Sequence, residues 1–145
     1  MFHDLYQEVI LDHSKRPRNC HVLDEADRQA EGYNPLCGDK ITLFLNVKDN
    51  VVQDISFVGS GCAISTASAS LMTESLKGKS VEEAQRLLET FHCLLTSEAP
   101  PQQELGKLAV FSGVRDYPAR VKCATLCWHT LKSALDGSEK PVTTE

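Results

Sequence analysis

The feature that most constrains the fold is a pair of apolar runs, "ITLFLNV" at 41–47 and "VVQDISFV" at 51–58, separated only by "KDN". In the first run Ile41, Leu43, Leu45 and Val47 fall on alternate positions, so an extended backbone puts all four on one face. "KDN" reads as a turn, and so short a connection joins the two strands antiparallel, as a β-hairpin. One face of this hairpin is apolar and needs a covering layer.

Helical patterns on both sides in sequence supply that cover. Phe2, Leu5, Tyr6, Val9 and Ile10 repeat at helical spacing and predict an amphipathic helix ending near "SKRPRN", followed by a loop through Glu31 and Gly32. The second strand runs into "GSGC" at 59–62, where Gly59 and Gly61 permit a tight strand-to-helix turn. "AISTASASLMTESL" then reads as a helix of small residues closed by Gly78, which places Cys62 at a helix N-terminus. Ser80 and Glu83 form a capping box for a third helix carrying Ala84, Leu87, Leu88, Phe91 and Leu95. "TSEAPPQ" breaks the chain. A shorter helix through Leu105, Leu108 and Ala109 follows, then a last one from about Pro118 to Leu135 with Val121, Ala124, Trp128, Leu131 and Leu135 inward. The expected class is α+β, an antiparallel sheet covered by helices.

At 145 residues and 41% apolar content, the chain fits one domain over 1–136, with "GSEKPVTTE" at 137–145 as a disordered tail. A formal charge of −5, with no basic patch interleaved with aromatics, argues against a nucleic-acid partner. The N-terminus carries acidic residues in its first dozen positions and no uninterrupted apolar region, unlike a secretory signal or a membrane span. The expectation is a soluble, cytoplasmic protein.

Six cysteines, at 20, 37, 62, 93, 123 and 127, are many for a reducing compartment. Small disulfide scaffolds are secreted and core-poor, so free or metal-bound thiols are the expectation here. No C-x-x-C pair marks a redox motif or a zinc ribbon. In "PLCGD", Cys37 and Asp39 are two apart and point to the same side of an extended backbone, with Gly38 leaving room. The same residues also suit a turn in which Asp39 caps the loop and Cys37 is a small buried hydrophobe. Cys37 and Asp39 stand before the hairpin, Cys62 starts a helix, and Cys123 lies in the first turns of the last helix, off its apolar stripe. A thiol at a helix N-terminus feels the positive end of the helix dipole, which favours thiolate. Three thiolates and a carboxylate suit tetrahedral zinc and also iron with sulfide.

"NPLCGD" at 34–39, "GSGCAISTASASLM" at 59–72 and "KCATLCW" at 122–128 resemble the three cysteine motifs of the IscU/NifU-N-terminal family of iron–sulfur cluster assembly proteins. "LYQEVILDHSKRPRN" extends the likeness to the N-terminus, so it spans nearly the whole chain through about Leu135. The resemblance implies a three-stranded antiparallel sheet packed by about five helices. It also implies that Cys37, Asp39, Cys62 and Cys123 are ligands of zinc (Zn2+) or of a transient [2Fe-2S] cluster.

Two departures separate the chain from the IscU branch. Lys122 stands before Cys123 where that branch has histidine, and "DYPARVK" at 116–122 replaces its Leu-Pro-Pro-Val-Lys chaperone motif, which puts an Hsp70-type chaperone partner in doubt. The longer spacer with "APPQQELGKLAVFSGV" is similar to the SufU branch, whose members act chiefly as zinc-dependent sulfur acceptors. That likeness implies a cysteine desulfurase of SufS/IscS type as sulfur donor, Cys37 as the acceptor thiol, Arg120 as a supporting residue, and apo iron–sulfur proteins as final recipients. The alternative is an IscU-type scaffold, on which the cluster is built and handed on. Either a sulfurtransferase-like acceptor or a non-enzymatic scaffold is consistent with the motifs. His92 and Cys93 mimic a His-Cys ligand pair but lie in the third helix, and read as structural or surface residues. Cys127 follows Cys123 by one helical turn, either as a small buried residue or as a thiol near the site that can resolve a persulfide. Cys20 and His21 lie in a loop with no partner identifiable from sequence.

Overall fold

A computed structural model of the chain describes residues 2–35, 38–97, 103–137 and 142–143; Cys37 and the break at 98–102 lie outside them. Helix α1 (Phe2–Lys15) precedes strands β1 (Arg28–Asn34), β2 (Asp39–Lys48) and β3 (Val51–Ser60). Helices α2 (Ala63–Leu76) and α3 (Val81–Thr96), a 3-10 segment (Gln103–Val114), α4 (Pro118–Asp136) and the two-residue β4 (Val142–Thr143) complete the order. The class is α+β, three antiparallel strands with five helices around them. The β2–β3 hairpin closes on Asp49 and Asn50, whose φ values of 53° and 63° supply the two left-handed residues that a tight turn between twisted strands needs.

Strand β1 corrects the sequence reading, in which Glu31 and Gly32 belong to a loop. It pairs along its whole length with β2, from Arg28 opposite Leu45 to Asn34 opposite Asp39. Its buried positions are Ala30, Gly32 and Asn34, so no large side chain announces an inward face. The cause is α4, which packs directly on the strand. A Cβ on Gly32 would run into Thr130 Oγ1 and come within 3.1 Å of Leu126 Cδ1. Val142 and Thr143 pair in parallel with Gly32 and Tyr33 at the sheet edge, and Gly137 ends α4 with a φ of 73°.

The core forms between one sheet face and the helices, with Leu43, Leu45, Val52, Ile55, Leu71, Met72, Leu126 and Leu131 fully buried. Trp128 stacks on Phe91 at 4.7 Å, joining α4 to α3. The serines of α2 let its neighbours approach and tie to them. Ser68 Oγ donates to the Ala124 carbonyl at 2.6 Å and accepts the Trp128 indole N–H at 3.2 Å. Ser80 caps α3 by accepting the Glu83 N–H at 3.1 Å, and its hydroxyl lies 3.2 Å from Glu83 Oε1, so the box closes through side chains. No helix among the described residues is long and apolar enough to cross a membrane.

His13 fastens α1 to α2. It is buried, its Nδ1 lies 2.7 Å from Ser70 Oγ, and the same hydroxyl oxygen accepts the Arg18 N–H at 2.8 Å. Burial first, then Arg18, hold its pKa below the usual 6.5, with Lys107 acting in the same direction against Glu74 and Asp12. Below that pH the unfolded chain binds more protons than the folded one. Stability is therefore full above 6.5 and declines as pH falls from there toward the lower folded-state value. Urea midpoints followed from about pH 7.5 to about pH 5 should fall. His13→Gln should flatten part of that slope, leaving a share from His129, which burial also holds low. An unchanged slope in His13→Gln would remove His13 from this account.

Candidate metal centre

The site forms where the end of β1, the start of β2, the start of α2 and the first turns of α4 meet. Asp39 opens β2 and is fully buried, although it is a carboxylate. Its Oδ1 accepts the Cys62 backbone N–H at 2.9 Å, and its Oδ2 accepts the Asn34 side-chain N–H at 3.2 Å. Cys62 is the N-cap of α2: its backbone is extended at φ −74° and ψ 170°, and its Sγ accepts the Ser65 N–H at 3.4 Å. A thiol thus occupies the capping position usually taken by serine, threonine or aspartate. Gly61, just before it, has no room for a side chain, because a Cβ there would lie 2.5 Å from Asp39 Oδ1. Cys123 is fully buried in α4, which begins with Pro118 at its first turn.

One ligand atom from each of Asp39, Cys62 and Cys123 lies within 4.8 Å of the others. Tetrahedral zinc holds its sulfur and oxygen donors about 3.5–3.8 Å apart, so small side-chain rotations would close this set around an ion. The surroundings fit a cation. The ion pairs among the described residues join Arg18 to Asp12, Lys77 to Asp54 and Lys107 to Glu74, so Asp39 has no basic partner there. Lys40, next in sequence, instead places its ammonium over the Tyr33 ring at 5.8 Å. A carboxylate buried beside two thiols and held by neutral N–H groups suits a bound cation.

Three of the four sequence-expected ligands converge, and Cys37, two positions before Asp39, lies outside the described residues. Arg120 is exposed in the first turn of α4 and borders an apolar groove of about 470 Å³ with Ala63, Ile64 and Tyr117, one residue beyond Cys62. Cys127 belongs to the core. Its Sγ donates to Ser68 Oγ at 3.4 Å, and burial pushes its pKa up to about 12, which disfavours the thiolate that a resolving role would need. His92 and Cys93 are exposed on α3, and the His92 ring meets that of His129 from α4 in a T-shaped arrangement, at 6.0 Å between ring centres. Cys20 is exposed and pairs by backbone with Phe57 at the outer edge of β3. Sequence reasoning missed Asn34. Its signal was its place in "NPLCGD", opposite Asp39 across the sheet.

The sequence profile described as the NifU-like N terminal domain matches residues 5–124. This chain belongs to the NifU-like N-terminal domain family. Among relatives, it is 44% identical over 135 residues to an iron–sulfur cluster assembly scaffold protein IscU of Streptococcus pyogenes serotype M1, covering 92% of this chain and 84% of that one. It is 40% identical over 136 residues to the zinc-dependent sulfurtransferase SufU of Bacillus subtilis strain 168, covering 93% and 92%. The fold resembles the crystal structure of a candidate iron–sulfur cluster assembly scaffold for the SUF system from Fervidobacterium islandicum AW-1. The TM-score is 0.86 at 36% identity, over 92% of this chain and 98% of that one. The matched span of the NifU-like N-terminal domain takes in Asp39, Cys62 and Cys123.

Proposed function

We propose that this chain is an iron–sulfur cluster assembly protein that accepts sulfur, as a persulfide, from a cysteine desulfurase. Cys37, Asp39, Cys62 and Cys123 would hold a zinc ion, and Cys37 would be the acceptor thiol. The observation that carries the reading is the convergence of Asp39, Cys62 and Cys123 from three separate elements, in a family with a relative named a zinc-dependent sulfurtransferase. When bound, zinc would keep the thiols deprotonated while damping their nucleophilicity. In the transfer, the Cys37 thiolate attacks the outer sulfur of the desulfurase persulfide. The S–S bond breaks, the desulfurase cysteine leaves as thiolate, and the sulfane sulfur stays on Cys37 with no net oxidation. Asp39, locked by the Cys62 N–H and by Asn34, keeps an oxygen at the site throughout.

The working compartment on this reading is the cytoplasm, where thiols persist; no disulfide joins the described cysteines. Apo iron–sulfur proteins are the downstream recipients. A second reading is favoured by the name of the S. pyogenes relative: an IscU-type scaffold on which a [2Fe-2S] cargo is assembled.

One experiment separates the two. Zinc-loaded protein is mixed with a cysteine desulfurase and cysteine in the absence of iron, and intact mass is followed. The acceptor reading expects a gain of one sulfur atom on this chain and faster desulfurase turnover. Both should be lost in Cys37→Ser and largely kept in Cys93→Ser and Cys127→Ser. Zinc-loaded protein that takes no sulfur and does not speed the desulfurase, yet forms a coloured cluster when iron is added, would move the scaffold reading to first place.

A further inference from the structure

Asn34 is a fully buried amide at the end of β1. Its Nδ2 donates to Asp39 Oδ2 at 3.2 Å and to Cys123 Sγ at 3.7 Å, so one NH2 group reaches an oxygen and a sulfur of the candidate site. Its Oδ1 is buried with no partner among the described residues. The opposite orientation of the amide is disfavoured, since it would set a carbonyl oxygen against a carboxylate oxygen, two acceptors face to face. Packing alone does not account for this residue. A buried acceptor with no partner is a cost that an apolar residue would not carry, and such a group in a native fold calls for an explanation, a role at a functional site among them.

The mechanical consequence follows from which elements are joined. Asp39 belongs to β2, Cys123 to α4 and Asn34 to β1, so the amide ties three elements at one point. With Oδ1 of Asp39 held by the Cys62 N–H, the carboxylate has each oxygen fixed by a different neighbour and little freedom to rotate. Groups that orient metal ligands in this way make the site ready before the ion arrives, and their loss weakens binding without removing a ligand.

We propose that Asn34 is a positioning residue of the metal site, whose forked N–H donation to Asp39 and Cys123 preorganises the oxygen and sulfur donors. The proposal rests on the metal-site reading above and adds to it a residue that contributes no ligand atom.

The test uses Co2+ as a spectroscopic probe and Zn2+ in competition with a chelator, on the full chain. Asn34→Leu removes both donors while keeping the number of side-chain heavy atoms. Asn34→Thr, well suited to a strand end, keeps one short hydroxyl donor that cannot bridge two partners. In whichever variant keeps the far-UV circular dichroism of the parent, Zn2+ affinity should fall about 10–100-fold. The Co2+ d–d bands should shift and the sulfur-to-cobalt charge-transfer band should change, a signature that a purely structural role would not move. Parent affinity together with parent spectrum in either folded variant would overturn the assignment. Cys62→Ser, run alongside, keeps the two readings separable. If it too leaves the cobalt spectrum unchanged, the metal site itself is wrong; if it abolishes the spectrum while the Asn34 variants do not, only the role of Asn34 fails.

Discussion

Zinc in the purified protein is expected to fall from about one ion per chain to almost none when Cys62 and Cys123 are both replaced by serine, as read by elemental analysis. The two sulfurs come from the N-cap of α2 and the second turn of α4, and with Asp39 they make up the described donors. A hydroxyl is a far poorer ligand for zinc than a thiolate, because it must lose a proton from a much weaker acid. Loss of the ion should also weaken the fold. A ligand present at a hundred times its Kd stabilises the folded state by about 2.7 kcal/mol. For a chain of this size that corresponds to about 10 °C in Tm. A chelator added to the parent should therefore bring its melting temperature down, and added zinc should restore it. The double variant should respond to neither. Retention of near-stoichiometric zinc by the double variant would reject the site outright.

The parts legible in the sequence were those where a local pattern and the tertiary demand coincide. The β2–β3 hairpin alternates strongly because one face is buried, and α4 announces both ends, with Pro118 in its first turn and Gly137 after its last. Cys62 was legible as a helix start because "GSGC" separates a strand pattern from a helix pattern. Strand β1 was hidden for the opposite reason. The close approach of α4 admits only small inward residues there, so the strand carries no apolar alternation to read. The helix through Leu105 and Leu108 proved to be a 3-10 segment interrupted at Gly106, whose φ is 52°, and apolar spacing does not distinguish the two over so few residues. In the site, donor atoms can be listed from residue type, whereas the groups that aim them depend on register. Asn34 acts on Asp39 only because the two stand opposite each other across β1 and β2, a pairing that the local pattern of β1, which reads as a loop, does not announce. Cys123 lay off the apolar stripe of α4 in sequence, yet it is fully buried, since Asn34 and Asp39 occupy that side of the helix.

Gly59→Ala is expected to be among the most destabilising single substitutions in the chain, although it adds one methyl group to an exposed position. Gly59 stands opposite Ile41 in the β2–β3 ladder. A Cβ there would fall on the Lys40 carbonyl oxygen and come within 3.0 Å of Ile41 Cα, so the obstacle is backbone rather than a side chain that can swing away. Close approach, not a left-handed conformation, is what requires glycine at this point, because the positive-φ glycines are Gly38, Gly78, Gly106 and Gly137. Relief would have to come from moving Lys40, which follows Asp39, and Asp39 is held through both oxygens to Cys62 and Asn34. Overpacking that cannot relax costs about 3 kcal/mol, here concentrated on the strand that carries the site. Two controls isolate the cause. Gly113→Ala meets open space and should stay within about 0.5 kcal/mol of the parent. Gly78→Ala also meets open space but has a φ of 88°, so it should lose about 1 kcal/mol from backbone strain alone. Urea unfolding at constant m-value ranks the three variants, and zinc analysis on the same samples shows whether the damage reaches Asp39. Gly59→Ala as stable as Gly113→Ala would mean that β2 and β3 can separate at this point without cost, and that Asp39 is not anchored as tightly as its two hydrogen bonds imply.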